Sequence, residues 1–283
     1  MNPTVQAVRA GLTRGRFELR QTFTDVQSVL GYIVPSAILL VVMLFMRGKS
    51  VPGTDFSLGS VTFPSVLGMG VAFTGLVTVM QLLTVEREDG TLLRAKAIPN
   101  GMLGYLVGKI VLVSGMTLVG LAIQMIPGVL LFDGIASGGL GSWLTLAWVL
   151  ALGLVATMPL GAVFGSLFSD PRQAGFVMMP MFGLIAVSGI FYPITRLPEW
   201  LQWIGQVFPI YWLGLGMRSA LLPDALVTVE IGQSWRHLET LAVLAAWAVA
   251  GLLVAPVVLR RMARRESGGT MAARREKAMQ RVM

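Results

Sequence analysis

The chain predicts an all-α integral membrane protein, and three observations carry that reading. Of its 283 residues, 55% are hydrophobic and only 13% charged, where a soluble domain carries about 25% charged residues. Its mean hydropathy is +0.74. Residues 56–85 and 110–132 contain no charged side chain, and each run can cross a hydrocarbon core of about 30 Å, which takes roughly 20 helical residues. Helices are required because an isolated strand leaves its backbone polar groups unpaired in lipid, and the alternation of barrel strands is absent.

The first element is an amphipathic helix over 5–26. Val5, Val8, Leu12, Leu19, Phe23 and Val26 recur at helical spacing, while Arg9, Arg14, Arg16 and Arg20 interrupt any apolar core of the signal-peptide type. That pattern predicts a helix lying along the membrane interface. Six spans follow, at about 27–46, 61–85, 105–132, 143–168, 173–195 and 239–259. Pro180 inside the fifth is a candidate hinge. Before the last span, residues 197–222 carry Trp200, Trp203, Phe208, Tyr211 and Trp212, broken by Gly205, Pro209, Gly214 and Gly216. This stretch predicts outer-leaflet re-entrant half-helices rather than a seventh span, with its aromatic rings at headgroup depth. Residues 1–265 then form one transmembrane domain, with no room for a soluble catalytic domain, and 266–283 a basic tail.

With six spans both termini share a side. Seventeen of the 22 basic residues fall there, and Arg47, Lys49, Arg196, Arg218 and Arg236 on the other. The positive-inside rule places both termini and the 86–99 loop in the cytoplasm, in a plasma or inner membrane. The net charge of +8 then serves topology and anionic headgroups. Nucleic acid is not implied, because no stacking aromatics interleave the basic tail.

Catalytic signals are weak. There is no cysteine, which excludes disulfides and thiolate metal sites, and His237 is the sole histidine, too few for a zinc site or a charge relay. No metal or catalytic residue is predicted. Gly104 to Lys109 falls one residue short of a phosphate-binding loop, and Ile110 stands where Ser or Thr is needed. Gly104 with Gly108, and Gly161 with Gly165, read instead as small-residue helix contacts. Apart from Lys109 near one end of its span and Glu239 at the boundary of the last, no carboxylate, lysine or arginine lies inside the spans, so proton-driven transport lacks its usual groups. Gln81 and Gln124 are expected to be buried and to bond between helices.

The most informative segment runs from Glu86 through Arg87, Glu88, Asp89, Gly90, Thr91, Leu92, Leu93, Arg94, Ala95, Lys96, Ala97 and Ile98 to Pro99. The acidic residues are expected to open a short helix, Gly90 to permit a bend and Thr91 to cap the turn that follows. By itself the segment reads equally as a charged loop that only satisfies topology.

The segment resembles the cytoplasmic coupling element between the second and third spans of type-2 ABC exporter permeases, the drug-resistance, lipid and glycan exporter class. The layout agrees: interfacial helix, six spans, outer half-helices, then Pro209-x-Tyr211 followed by Arg218. The resemblance implies a permease subunit that is not itself an enzyme and binds no cofactor. ATP and Mg would be bound by a separate nucleotide-binding ATPase subunit docked on Glu86, Arg87, Glu88, Asp89, Gly90, Thr91, Arg94, Lys96 and Pro99. A second permease copy, identical or similar, would complete the path within the membrane lipids. In such permeases the second and fifth spans line the path; here those spans offer Phe63, Met69, Phe73, Met80, Phe176, Met179 and Phe182, with Tyr192, Trp200, Trp203, Tyr211 and Trp212 at the outer rim. A soft lining without charge suits outward movement of an amphipathic drug or lipid. Two other classes remain: a membrane anchor or sensor that recruits a cytoplasmic partner, and a membrane-embedded lipid enzyme, against which the lone His237 argues.

Overall fold

The computed structural model describes residues 2–51, 56–132, 134–136, 138–167 and 175–265. Among them every regular element is helical, with one isolated bridge between Ser50 and Ser57. In order, the elements are α1 (Pro3–Thr24), α2 (Val26–Met46), α3 (Leu58–Phe73), a π-helical segment (Thr74–Thr78), α4 (Val79–Glu88), α5 (Thr91–Lys96), α6 (Gly101–Leu131), α7 (Leu140–Leu167), α8 (Gly175–Val187), α9 (Glu199–Val207), α10 (Pro209–Leu221) and α11 (His237–Arg265). Among the described residues five apolar rods are long enough to cross a membrane: α2, Leu58–Arg87 through the π segment, α6, α7 and the first 26 residues of α11. The chain is an all-α, multi-pass membrane protein.

Helix boundaries follow local chemistry. Asp25 is extended (φ −82°, ψ 119°), which separates α1 from α2. Its Oδ2 accepts from the N–H and hydroxyl of Ser28 at 2.8 and 2.6 Å, capping α2. The fifth expected span is shorter than its apolar run. α8 ends at Val187 rather than 195, because Ser188 turns its hydroxyl back to Leu184 O and Gly189 is left-handed (φ +62°). Its 13 described residues reach about 20 Å. Asp170, Arg172 and the tail from 266 lie outside the described residues.

The centre of the molecule is α10, a re-entrant candidate whose residues are nearly all buried. It is wedged between α3 and α7 and also touches α11. A row of small residues on α7 brings the Leu58–Glu88 rod close. Gly153 meets the Leu213 side chain of α10, Thr157 meets Gly75, Gly161 faces the carbonyls of Gly75 and Leu76, and a Cβ on Gly165 would stand 2.9 Å from Met80 O. The missing Cβ at Gly161 and Gly165 lets the backbones of the two rods approach where lipid supplies no hydrophobic drive for association. The expected contact at Gly161 and Gly165 is therefore between α7 and the second rod.

A buried ion pair pins α10. The Arg218 Nε and Nη2 donate to the two carboxylate oxygens of Glu230 at 2.6 and 3.1 Å, and Nη1 donates to Ser65 Oγ of α3 at 2.7 Å. Both ions are almost fully enclosed, so this two-pronged geometry is what offsets their desolvation. Gln81, expected inside, is exposed; it lies on the face of α4 turned away from the bundle. Gln124 is half-buried with Oε1 enclosed and unpartnered.

Candidate functional site

The second rod runs straight through the acidic residues that were expected to open a helix. Glu86 and Glu88 lie in the last turn of α4, and Asp89 is its C-cap, its N–H bonded to Val85 O at 3.0 Å. The apolar run carries the helix past the charges. At that end the dipole disfavours negative charge, so each described carboxylate needs a partner, and the structure supplies one.

Glu86 is buried, and its Oε1 stands 2.5 Å from Lys109 Nζ of α6. Its Oε2 accepts from the Tyr105 hydroxyl at 2.6 Å. Lys109 bonds in turn to Glu18 Oε2 of α1 at 2.6 Å, and Glu18 Oε1 accepts from Arg14 Nε at 2.6 Å. Arg14 closes the set 3.8 Å from Glu86 Oε1, and both cations lie over the Tyr105 ring at 5.8 and 5.7 Å. Two acids and two bases thus alternate across three elements. Burial alone would raise the Glu18 pKa, but its hydrogen bonds to Lys109 and Arg14 outweigh that and hold it below the usual carboxylate value.

Glycines allow the approach. Gly11 and Gly15 of α1 lie against Gly104 and Gly108 of α6; a Cβ on Gly15 would stand 2.5 Å from Gly108 O and one on Gly104 2.9 Å from Ala7 O. The Gly104/Gly108 pair does form a helix contact, and its partner is α1 rather than one of the expected spans.

Arg87 turns to the opposite side. Its Nη1 donates to the carbonyls of Gly165 and Ser166 at 3.3 and 3.1 Å. Both carbonyls belong to the last described turn of α7. Glu86 and Arg87 therefore fix the base of α4 to α6 and α7 and turn away from the surface; for Glu88 only the helical backbone is described.

The bend itself depends on Gly90, left-handed at φ 80°. Thr91 does not cap it. Instead the Asp89 carboxylate accepts from the Thr91 N–H at 2.7 Å, an Asx turn, and Arg94 Nη2 donates to Thr91 Oγ1 at 2.9 Å. α5 has two faces. Leu92 and Ala95 bury against Leu83, Tyr105 and Met262, so the seat is made by α4, α6 and the end of α11. Arg94, Lys96, Ala97, Ile98 and Pro99 are exposed. A groove of about 670 Å³ runs beside this face, walled by Gln6, Ala10 and Arg14 of α1 and by Arg94, Ile98 and Pro99.

The other expected residues divide. Phe63 is fully buried between α3 and α6, stacked on Phe132 at 5.7 Å, and Met69 and Met80 are also enclosed. Phe73 is half-buried and pairs with Phe182 at 6.5 Å. Phe182 and Met179 are 60% and 82% exposed on the open side of α8; the Phe176 side chain lies outside the described set. Trp200 and Trp203 project from α9, whereas Tyr211 and Trp212 are interior, with Trp212 Nε1 donating to Gln206 O at 2.6 Å. Tyr192, half-buried, donates its hydroxyl to Ala186 O. Arg14, Glu18, Tyr105 and Lys109 were absent from the site residues read in the sequence; the signal for them was Lys109 as the lone charge within a span.

Residues 13–255 match the family model described as ABC-2 family transporter protein. No curated protein matches the chain.

Proposed function

Because the chain belongs to the family of ABC-2 transporter proteins, we propose that it is the membrane subunit of an ATP-driven exporter, driven through α5. The observation that supports this most is the division of α5: its apolar face is clamped to α4, α6 and α11, and its outer face presents Arg94, Lys96, Ile98 and Pro99. A partner nucleotide-binding subunit carrying ATP and Mg would seat on that face and in the groove against α1. Acidic partner groups would meet Arg94 and Lys96. ATPase closure would then push α5, and the Glu86 and Arg87 joints would pass the push to α6 and α7.

Two permease copies would enclose the path, with Phe73, Met179 and Phe182 on the lining and Trp200 and Trp203 at the outer rim. Export of an amphipathic drug or lipid fits that uncharged surface. Both termini would lie in the cytoplasm, since α1 and the end of α11 share the end of the bundle that carries α5. The test is purification of the tagged chain from its native membrane in mild detergent, with mass spectrometry of what accompanies it. An ATPase subunit in near-equal amount is expected. Recovery of the chain alone, repeated after cross-linking, would overturn the reading and favour an anchor.

A further inference from the structure

An apolar cavity of about 460 Å³ lies between the π segment, α7, α8, α11 and the corner joining α9 to α10. Its walls include Leu76, Leu160, Phe164, Met181, Leu184 and Trp247, and no charged side chain lines it. The polar atoms on those walls are already used: Thr157 Oγ1 donates to Gly153 O, and Trp247 Nε1 to Val207 O, each at 2.8 Å. Water entering would find no partners, and a polar ligand no anchor. Left empty, a void of this size would forfeit the dispersion contacts of its lining.

We propose that one acyl chain of a bilayer phospholipid fills this cavity as a wedge between α8 and α7. Size favours a chain. A methylene takes up about what a water does, ~30 Å³, so the space holds roughly fifteen. A helix from a second copy, about 10 Å across, would fill it with little more than a single turn. The state of α8 agrees: its Met179 and Phe182 face outward, and its inner side borders the cavity through Pro180, Met181 and Leu184. The occupant is therefore part of what holds α8 against the bundle, whichever ATPase drives the protein.

The test places the purified full chain in phosphatidylcholine–phosphatidylglycerol vesicles with a trace of phospholipid bearing a diazirine near the end of one acyl chain. After irradiation, adducts are mapped by peptide mass spectrometry. Adducts are expected on the inward residues Leu160, Phe164 and Met181 as well as on lipid-facing α2. Gly183→Phe closes the mouth at a position where an added Cβ meets no atom within 4 Å, and Leu160→Trp fills the space from the opposite wall. Each is expected to lower the inward adducts several-fold while those on α2 stay unchanged, and Gly31→Phe, also unobstructed, to change neither. Wild-type adducts confined to outward faces, inward adducts indifferent to both filling variants, or cross-links from the walls to a second copy would overturn the proposal.

Discussion

Lys109 of α6 and Glu86 of α4 meet at 2.5 Å, both buried, immediately before the bend that leads into α5. Lys109 also holds Glu18, so its removal leaves the buried Glu86 and the half-buried Glu18 with Arg14 as the cation they share. Lys109→Met is expected to destabilise the bundle by about 3 kcal/mol, read as a lower thermal midpoint in detergent. Lys109→Arg keeps the charge and should recover most of the loss.

The contact of α1 with α6 tolerates no side chain at Gly15. Gly15→Val drives Cβ into the Gly108 carbonyl and is expected to cost roughly 1–3 kcal/mol, releasing α1 while the spans remain folded. Faster amide exchange confined to α1 would show this; unchanged protection would contradict the packing described.

Acid should act on the same joint. The Glu18 pKa is held below 4.5, so its contribution is complete above that value and is lost as pH falls through the lower, folded one. Because the chain has no cysteine, a nitroxide on Arg16→Cys reports α1 alone. Its mobility should stay constant from pH 8 to 5 and rise only as pH falls below 4.5.

At the bend, Gly90→Ala forces a Cβ into a left-handed conformation at about 1 kcal/mol. Arg94→Glu with Lys96→Glu leaves the buried face of α5 untouched. The first variant should lower coupled transport and thermal stability together. The second should abolish association with the ATPase subunit while the thermal midpoint holds, and full transport by it would sink the docking role of α5.

The Arg218–Glu230 pair gives a further check. Glu230→Gln leaves a buried guanidinium without its counter-charge and is expected to cost about 3 kcal/mol, more than an Arg218→Met, Glu230→Met double replacement. Thermal unfolding of the three proteins separates the two costs.

Five of the six expected spans and the break between α9 and α10 were legible in the sequence because apolar run length and Gly/Pro breaks report directly on a hydrocarbon solvent. So was the bend at Gly90. The direction of the charged side chains was not. Glu86 and Arg87 look like surface residues in a charged run, and only the three-dimensional meeting with Lys109 and with the α7 carbonyls turns them inward. Likewise Phe63 and Phe182 are the same residue type in expected path spans, yet Gly128 opposite Phe63 makes room for one inside the bundle, while the other meets Phe73 and stays largely exposed. Periodicity gives a face; it does not say which neighbour occupies it.

The π segment at Thr74–Thr78 amounts to one surplus residue in the winding of the second rod. Each residue of an α-helix turns the face by about 100°, so everything below the surplus is phased differently from everything above it. α3 can address α10 while α4 addresses α7, and Glu86 and Arg87 point to opposite sides of the joint in the phase their partners require. Deleting a single residue there would rotate the lower half like a misaligned camshaft, leaving composition and hydropathy almost untouched while Lys109 and the α7 terminus each face the wrong side chain.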